Sequence, residues 1–265
     1  MPASDPSKLL QPLEAVMREA GSLARDVAQK PFKHWTKGPE KSPVTEGDIA
    51  VNELLRARLP QLAPEAGWVS EENELSGALR PSNWVVDPID GTRGFLAGKP
   101  DWTISVALVA DGRPLIAALY APETDEMFLS ARGGGATLNG SRLSVSAGAA
   151  LGGARLAGPK RYLERLSQFE PAVEPQPKVH SLALRMARVA QGALEAAFSS
   201  GGSHDWDLAA ADLLVHEAGG VMTDFAGRPL SYNQPHGVHG ALVAAGSDRH
   251  DALIGLVRDR QAEFA

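Results

Sequence analysis

Residues 84–95 read WVVDPIDGTRGF, and this stretch interrupts an apolar run with two carboxylates. The apolar run at its start predicts a buried strand. Asp87 ends the run and Asp90 follows three residues later, with Pro88 between them. Because proline cannot donate a backbone hydrogen bond, we expect the chain to turn there. Two acids at such a turn fit either a simple turn or a catalytic site.

The predicted turn has the groups needed to bind a cation and an anion side by side. Asp87 and Asp90 can bind one or two ions from opposite sides, and the Ile89 carbonyl can point inward as a further oxygen ligand. Gly91 and Thr92 offer free N–H groups at a predicted helix start, where a phosphate can bind. The same residue types are common in plain turns and helix caps, so the stretch alone does not decide between the two.

Three further acidic groups stand at the ends of predicted strands or at the starts of predicted helices. Glu71 and Glu72 follow the strand GWVS, Asp205 and Asp207 open the helix WDLAAADLLVHEAGG, and Asp48 opens an earlier helix. Each alone fits a cap or a solvated loop. Gathered carboxylates repel one another unless a cation lies between them, and hard divalent cations prefer oxygen ligands. The four sites together therefore favour a metal centre.

The composition is that of an ordinary globular protein of 265 residues, 43% hydrophobic and 22% charged. Its lack of cysteine excludes thiol nucleophiles, thiolate zinc sites and iron–sulfur clusters, and fits a reducing compartment. The net charge of −6 argues against a nucleic acid polymer as partner. No apolar run reaches the ~18 residues of a membrane span, and the N-terminus lacks a signal-peptide pattern. We therefore expect a cytoplasmic protein that does not cross a membrane.

The predicted elements divide the chain into two parts. Residues 1–145 indicate two helices and then a mostly antiparallel sheet with a hairpin at Asp111-Gly112. Residues 146–265 alternate helices and strands, which is an α/β pattern. The first part carries Glu71 and the DPIDGT turn, and the second carries the WD motif. We expect both parts to form one compact catalytic unit of the α/β (α+β) class.

Two segments are predicted to be loops. The first, KGPEKSPVTEGD (37–48), leads into the second helix, which is expected to start near Thr45 with Asp48 in a capping-box position. The second is the proline-rich FEPAVEPQPKVH (169–180), which follows a glycine- and alanine-rich stretch that begins near Leu151. A helix over residues 181–191 is expected directly after it.

Four motifs resemble the signatures of one family. WVVDPIDGTRGF resembles D-P-[IL]-D-G-T-x-x-[FY], and WDLAAADLLVHEAGG resembles W-D-x-A-A followed by E-A-G-G. SEEN (70–73) resembles a G/S-E-E segment, and SPVTEGD (42–48) a V-T-x-x-D segment. These are the signatures of the inositol monophosphatase superfamily of Mg²⁺-dependent, Li⁺-sensitive phosphatases, in its bisphosphate nucleotidase-like or inositol monophosphatase-like branch. The motifs follow the family order over residues 42–220.

The resemblance implies a layered αβαβα sandwich, usually a homodimer. It implies hydrolysis of a small phosphorylated metabolite by metal-activated water, with two or three Mg²⁺ ions and direct attack on phosphorus. The implied metal ligands are Glu71, Asp87, the Ile89 carbonyl, Asp90 and Asp207. The implied catalytic residues are Glu71, Thr92 and Asp48, the last either behind the ligands or on a third ion. The implied substrate contacts are Gly91, Thr92, Arg93 and Asp207.

The sequence leaves the substrate open. Adenosine 3',5'-bisphosphate and inositol 1-phosphate are the main candidates, and histidinol phosphate or a non-catalytic, partner-binding role are the alternatives. Inositol-preferring members usually carry a glutamate seven residues before the W-D aspartate, where Ser200 stands here. Four cations could bind a second anionic group: Arg93, Lys160, Arg161 and Arg185. Arg185 equally fits the solvated face of a helix, and His204 fits either a leaving-group contact or plain surface.

Overall fold

The computed structural model describes residues 5–38, 41–72, 80–170, 172–260 and 264. Asn73 of the SEEN motif lies outside the described residues, as do Pro39 and Glu40 of the first predicted loop and Pro171 of the second. The α-helices of the described chain are α1 (Leu10–Ala28), α2 (Glu46–Arg58), α3 (Thr92–Leu96), α4 (Lys160–Phe169), α5 (Leu182–Ala190), α6 (Asp205–Glu217) and α7 (Ser247–Asp259). Short 3₁₀ turns cover Pro6–Leu9 and Leu59–Gln61.

The first half forms a two-stranded hairpin and a seven-stranded sheet. The hairpin pairs β1 (His34–Lys37) with β2 (Ser42–Thr45). The sheet follows the chain order, with β3 (Gly67–Ser70), β4 (Ser82–Asp90), β5 (Thr103–Ala110), β6 (Arg113–Ala121), β7 (Glu126–Ala131), β8 (Gly135–Leu138) and β9 (Ser141–Arg142). Neighbouring strands are antiparallel except β3 and β4, which are parallel.

The second half contributes a five-stranded mixed sheet in the order β11-β10-β12-β16-β14. Its strands are β10 (Arg155–Ala157), β11 (Glu174–Pro175), β12 (Ala196–Ser199), β14 (Gly220–Asp224) and β16 (Leu242–Gly246). A small separate pair joins β13 (Ser203–His204) to β15 (Val238–His239). The crossover from β10 to its parallel neighbour β12 passes through α4 and α5.

Alternate side chains along a strand pack into different layers, because successive residues of a strand point to opposite faces of the sheet. In β4, Trp84 packs with α1 and α2, whereas Val85 packs with α5 and α6 on the other face. In β12, Ala197 packs toward α5 and α6, whereas Phe198 packs with α4 and α7. The layers are therefore helix, sheet, helix, sheet, helix, and the predicted αβαβα sandwich of the α/β class is confirmed.

The cap of α2 and the hairpin between β5 and β6 are as the sequence predicts. Thr45 caps α2, its side chain accepting from the Asp48 amide at 3.3 Å while Asp48 Oδ2 accepts from the Thr45 amide at 2.7 Å. The hairpin turn between β5 and β6 has φ of +52° at Asp111 and +71° at Gly112. Positive φ at both central residues is the type I′ geometry that suits the twist of paired strands.

The first segment predicted to be a loop contains regular structure, so that prediction was wrong, whereas the second is mostly a loop over its described residues. The first contains the end of β1 and all of β2, whose register pairs Lys37 with Ser42. The second contains the last residue of α4 and the two-residue strand β11, whereas β10 and the rest of α4 precede it. Helix α4 buries Tyr162, Leu163 and Leu166, a helical spacing that the surrounding prolines and glycines obscured. Strands this short are stabilised by their partners and leave little periodic signal of their own.

The division at about residue 145 stays a prediction. It falls between the end of β9 and the start of β10, yet one buried cluster contains side chains of both parts, among them Phe128 and Leu208. None of the helices in the described ranges has the length and apolar character needed to traverse a lipid bilayer.

Candidate metal and phosphate site

Parallel pairing of β3 and β4 brings two acidic strand ends together. The register places Ser70 beside Val86, so the next residues, Glu71 and Asp87, are neighbours. The Glu71 amide also donates to the Val86 carbonyl at 3.2 Å. The carboxyl ends of two adjacent strands therefore carry one acid each, which is where α/β scaffolds present ligands.

The DPID segment stays in the sheet as the irregular end of β4. The pairing with β5 shifts register between Asp87 and Asp90, and the Ile89 amide donates to Asp87 Oδ1 at 3.0 Å. The sequence predicts a turn at Pro88, but the chain turns three residues later, at Gly91, which has φ of +92° and precedes the short helix α3. A side chain at Gly91 would lie 2.9 Å from the Ser181 amide nitrogen, so this position requires glycine.

Asp207 reaches the same place from α6. The helix begins at Asp205 with His204 as its N-cap, and Asp207 accepts from the His204 amide at 2.7 Å. Asp207 therefore stands in the first turn of the helix. One carboxylate oxygen from each of Asp87, Asp90 and Asp207 lies within 4.8 Å of the others. Acids that are far apart in the sequence thus form one compact cluster.

Burial and mutual repulsion make this cluster costly to ionise. Burial raises the pKa of Asp87 well above its ordinary value, and the charges of Glu71, Asp90 and Asp207 raise it further. Burial and the charge of Asp90 likewise raise the pKa of Asp207. A divalent cation would remove both penalties, because it replaces lost hydration and separates like charges.

Asp90 also holds the start of α5. Burial raises its pKa, and three hydrogen bonds oppose that effect. Ser181 Oγ and the Ala183 amide donate to its Oδ2, each at 2.6 Å, and the Leu182 amide donates to Oδ1 at 3.2 Å. The acid cluster and the helix that follows the proline-rich segment are therefore locked together.

Asp48 lies behind the cluster and contacts Thr92. Thr92 Oγ1 is 3.0 Å from the Ile89 carbonyl and 3.3 Å from Asp48 Oδ1, so its single proton can go to either acceptor. Asp48 is fully buried, and burial raises its pKa to about 7 although Thr45 donates to it. A carboxyl group with that pKa can take or release a proton near neutrality.

Lys37 on the β1–β2 hairpin is a cation that sequence analysis missed. Its Nζ lies 2.7 Å from Glu72 Oε1, 3.3 Å from Glu71 Oε1 and 2.9 Å from the Glu71 carbonyl oxygen. Ser42 and Pro43 of the same hairpin line the cavity above the acids. The sequence predicts a loop over this segment, so no sequence signal ties Lys37 to Glu71.

Two cavities adjoin at the cluster. A polar one of about 310 Å³ contains every predicted metal ligand together with Gly91, Thr92 and Arg93. A larger one of about 1080 Å³ lies beside it, lined by the serine- and glycine-rich segment 199–203 and by α4 residues such as Lys160 and Leu163. Lys178, Arg185 and Asp207 line both cavities. The described residues therefore provide a small acidic chamber that opens into a roomier compartment.

The remaining candidate residues differ in their positions and contacts. Arg185 is not on a solvated helix face: it is half-buried, and its guanidinium donates to the Phe198 carbonyl at 2.9 Å. Burial lowers its pKa, whereas the charge of Asp90 acts the other way. Arg161 lies over the ring of Tyr162 and is not among the described residues that line either cavity. The His204 ring stacks on Trp206 at 4.5 Å between centroids.

Lys178 and His180, which line the small chamber, were also missed by sequence analysis. They belong to the sequence KVHS directly before the predicted helix over residues 181–191. The signal that could have found them is position, since residues that precede a helix start often face a ligand site. No spacing pattern marks them, because Asp90 and α5 bring them into place.

Comparison with known proteins agrees with this geometry. The model of the inositol monophosphatase family matches residues 5–262, almost the entire chain. The chain belongs to the inositol monophosphatase family. An inositol-1-monophosphatase of Rhizobium meliloti (strain 1021) is 35% identical over 231 residues, which are 82% of this chain and 86% of the relative.

Two further proteins are similar to this chain. Nus factor SuhB of Escherichia coli (strain K12) is 31% identical over 230 residues, 83% of this chain and 84% of that protein. The solved structure of an IMPase from Thermotoga maritima superposes with a TM-score of 0.83 at 25% identity and covers 95% of this chain and 97% of that one. Family membership supports a phosphatase, and the SuhB name leaves room for other roles.

Proposed function

We propose that this protein is a Mg²⁺-dependent phosphomonoesterase that hydrolyses a small phosphorylated metabolite by activation of water. The observation that carries the proposal is the cluster of Asp87, Asp90 and Asp207, whose oxygens lie within 4.8 Å of one another beside the turn at Gly91 and Thr92. Phosphoryl transfer depends on positioning and charge stabilisation more than on a covalent nucleophile. A buried acid cluster next to free helix-start amides supplies both requirements.

The residues present fit divalent magnesium. They are oxygen donors, as hard cations prefer, and burial together with repulsion between the acids raises the pKa values of Asp87 and Asp207. Glu71, Asp87, the Ile89 carbonyl, Asp90 and Asp207 would hold two or three Mg²⁺ ions. Bound ions supply neutralisation of the phosphoryl charge and acidification of water.

Thr92 and Asp48 are proposed to move the proton of the attacking water. In this arrangement Thr92 Oγ1 donates to Asp48, 3.3 Å away, and accepts from the water. The pKa of Asp48, about 7, suits a proton acceptor near neutral pH. Glu71, kept in place by Lys37, would orient the same water.

The phosphate is proposed to lie over the start of α3. The first amides of a helix have no partner within it, so those of Gly91 and Thr92 can donate to phosphoryl oxygens. Arg93 lines the same chamber and adds a positive charge. Asp207, which lines both cavities, would face the oxygen that joins phosphate to the leaving group.

The large cavity favours a leaving group larger than inositol. Its volume is about 1080 Å³, and Ser200 lines it where inositol-preferring members usually carry an acid. Leu163, Val179 and Leu182 offer apolar contacts there, and Lys178 and Arg185 bring positive charge. These features support adenosine 3',5'-bisphosphate over inositol 1-phosphate, with histidinol phosphate as the alternative.

The deciding experiment compares the three substrates under identical conditions. Phosphate release would be measured as kcat/KM for adenosine 3',5'-bisphosphate, inositol 1-phosphate and histidinol phosphate, with Mg²⁺ and with chelator. We expect Mg²⁺-dependent turnover, highest with the bisphosphate. Absence of turnover with every monoester would overturn the proposed activity, and a preference for inositol 1-phosphate would overturn the substrate assignment.

Lys178→Gln is expected to weaken binding of the bisphosphate selectively. Lys178 is exposed and lines both cavities, so its charge can contact a second phosphate. The KM for adenosine 3',5'-bisphosphate should rise about fivefold, since an ion pair of an exposed lysine is of modest strength. The KM for inositol 1-phosphate should change less than twofold. Lys99→Gln, exposed and outside both cavity linings, is the control; equal effects of Lys178→Gln on both substrates would contradict this role.

A role in binding a macromolecular partner is the second candidate, because a relative of 31% identity is named Nus factor SuhB. Every predicted ligand is present in one chamber, which favours the enzyme. A homodimer is proposed by family resemblance and would be tested by light scattering. Purified protein without turnover but with a stable partner on pull-down would favour the binding role.

A further inference from the structure

His180 and Asp101 form a hydrogen-bonded pair at the edge of the small chamber. The His180 ring nitrogen Nδ1 lies 2.8 and 2.9 Å from the two carboxylate oxygens of Asp101, and the His180 amide donates to Asp101 Oδ2 at 2.7 Å. Each side chain is 24% exposed, so the pair is accessible to a ligand. His180 lines the chamber that contains the acid cluster.

The His180 ring packs on the first turn of α3. A side chain added at Gly94 would lie 2.9 Å from His180 Cβ and 3.1 Å from Cγ. Ser181, the next residue, donates to Asp90 Oδ2 at 2.6 Å. The imidazole is therefore held against the turn that carries Thr92, and its place is set by Asp101, by Gly94 and by the link to Asp90.

The geometry leaves Nε2 as the free nitrogen of the ring. Nδ1 is engaged by Asp101, and no hydrogen bond to Nε2 joins it to any of the described residues. The Asp101 carboxylate accepts from Nδ1 and so fixes the orientation of the ring. Burial raises the pKa of this carboxyl, but the His180 amide and ring outweigh that effect and lower it below its ordinary value.

We propose that Nε2–H of His180 donates a hydrogen bond to a phosphoryl oxygen, with Asp101 as its positioning residue. The inference rests on the proposed function, because it places the phosphate over α3. His180 is not among the described residues that line the larger cavity. We therefore expect it to contact the phosphate and not the leaving group. The charged groups facing the same chamber are Arg93, Lys178, Arg185, Glu71, Asp87, Asp90 and Asp207.

Two isosteric substitutions separate a phosphate contact from a structural link. In His180→Gln the side-chain amide nitrogen replaces Nε2, so a donor to phosphate remains while the bond to Asp101 is lost. In His180→Asn the amide nitrogen replaces Nδ1, so the bond to Asp101 remains while the donor to phosphate is lost. The probe is inorganic phosphate, and its Kd for the Mg²⁺-loaded protein is measured by calorimetry, which requires no turnover.

We expect His180→Asn and His180→Ala to weaken phosphate binding about tenfold, as loss of a charge-assisted hydrogen bond does. His180→Gln should retain most of the affinity. Asp101→Asn should weaken binding in the native background and have no further effect on His180→Ala, which a merely structural role would not produce. The matched control is His236→Ala, an exposed histidine. Native affinity in His180→Asn together with a loss in His180→Gln would overturn the proposal.

The wild-type protein provides a second measurement if a variant fails to fold. Phosphate added to the Mg²⁺-loaded protein should shift the ¹⁵N resonance of His180 Nε2 and leave that of His236 in place. An unmoved His180 resonance at saturating phosphate would overturn the contact. Failure of the proposed function appears differently, as a wild-type protein that neither binds inorganic phosphate nor releases it from any monoester.

Discussion

Asp87→Asn is expected to reduce kcat/KM at least ~1000-fold, because a bound metal contributes several kcal/mol to a phosphoryl transition state. Asp87 is 2% exposed and accepts from the Ile89 amide at 3.0 Å. Asparagine has the same shape and can accept that bond, so the end of β4 need not change. What disappears is one negative charge facing Asp90 and Asp207.

The same substitution is expected to stabilise the metal-free protein. Removing one of several crowded, buried carboxylates relieves the cost of desolvation and the repulsion between the acids. We therefore expect the free energy of unfolding to rise by about 1–2 kcal/mol. Asp90→Asn is the matched variant. It should lose activity to a similar extent but destabilise the protein by about 2 kcal/mol, because Asp90 accepts three donors from Ser181, Leu182 and Ala183.

Two measurements on each variant check these outcomes. Phosphate release with saturating Mg²⁺ gives kcat/KM, and thermal unfolding in chelator gives the metal-free stability. Asp26→Asn, an exposed acid on α1, controls for the loss of charge alone. Near-native activity in Asp87→Asn would refute the metal assignment. A lower metal-free stability in that variant would show that Asp87 is a structural acid and not a strained ligand.

Removal of Mg²⁺ is expected to destabilise the protein strongly at pH 8 and weakly at pH 5. The pKa values of Asp48, Asp87 and Asp207 are all raised in the folded state. A group of this kind stabilises the fold fully below its unfolded pKa, near 4, and that contribution is lost as the pH rises through the folded pKa. The metal-free protein should therefore lose stability between about pH 4 and pH 7 or above.

The pKa shift of Asp48 gives the expected size of this loss of stability. Its folded pKa of about 7 compares with an ordinary 3.8, and at 1.36 kcal/mol for each pKa unit the loss is about 4 kcal/mol. In a chain of this size that corresponds to a Tm roughly 10 °C lower. Mg²⁺ should restore most of it at pH 8, since binding to the folded state alone stabilises it.

The experiment is a set of thermal unfolding curves at pH 5, 6, 7 and 8, with Mg²⁺ and with chelator. The difference in Tm at each pH isolates the metal site from other titrating groups such as His216, whose pKa Asp212 raises. Asp48→Asn should shrink the pH dependence of that difference. If the difference in Tm between the Mg²⁺-loaded and the chelated protein were the same at pH 5 and pH 8, the proposal that a cation neutralises the buried acid cluster would be contradicted.

The amino-acid sequence by itself determined the local chemistry and the family. The caps of α2, the Asp111-Gly112 hairpin and the acids at element ends are visible because a few neighbouring residues decide them. The four motifs, in order, were enough to indicate the inositol monophosphatase family and its layered fold. What the sequence could not separate was each acid's role as a cap from its role in a site, since both use the same residue types.

Only the tertiary structure decided which groups meet. Parallel pairing of β3 and β4 places Glu71 beside Asp87, and α6 carries Asp207 to them from the second half of the chain. Lys37 joins through a hairpin that no periodic pattern predicted, and Lys178 and His180 join through the segment before α5. The physical reason is that propensity and periodicity act over a few residues, whereas burial, charge crowding and cavity shape depend on packing between distant segments.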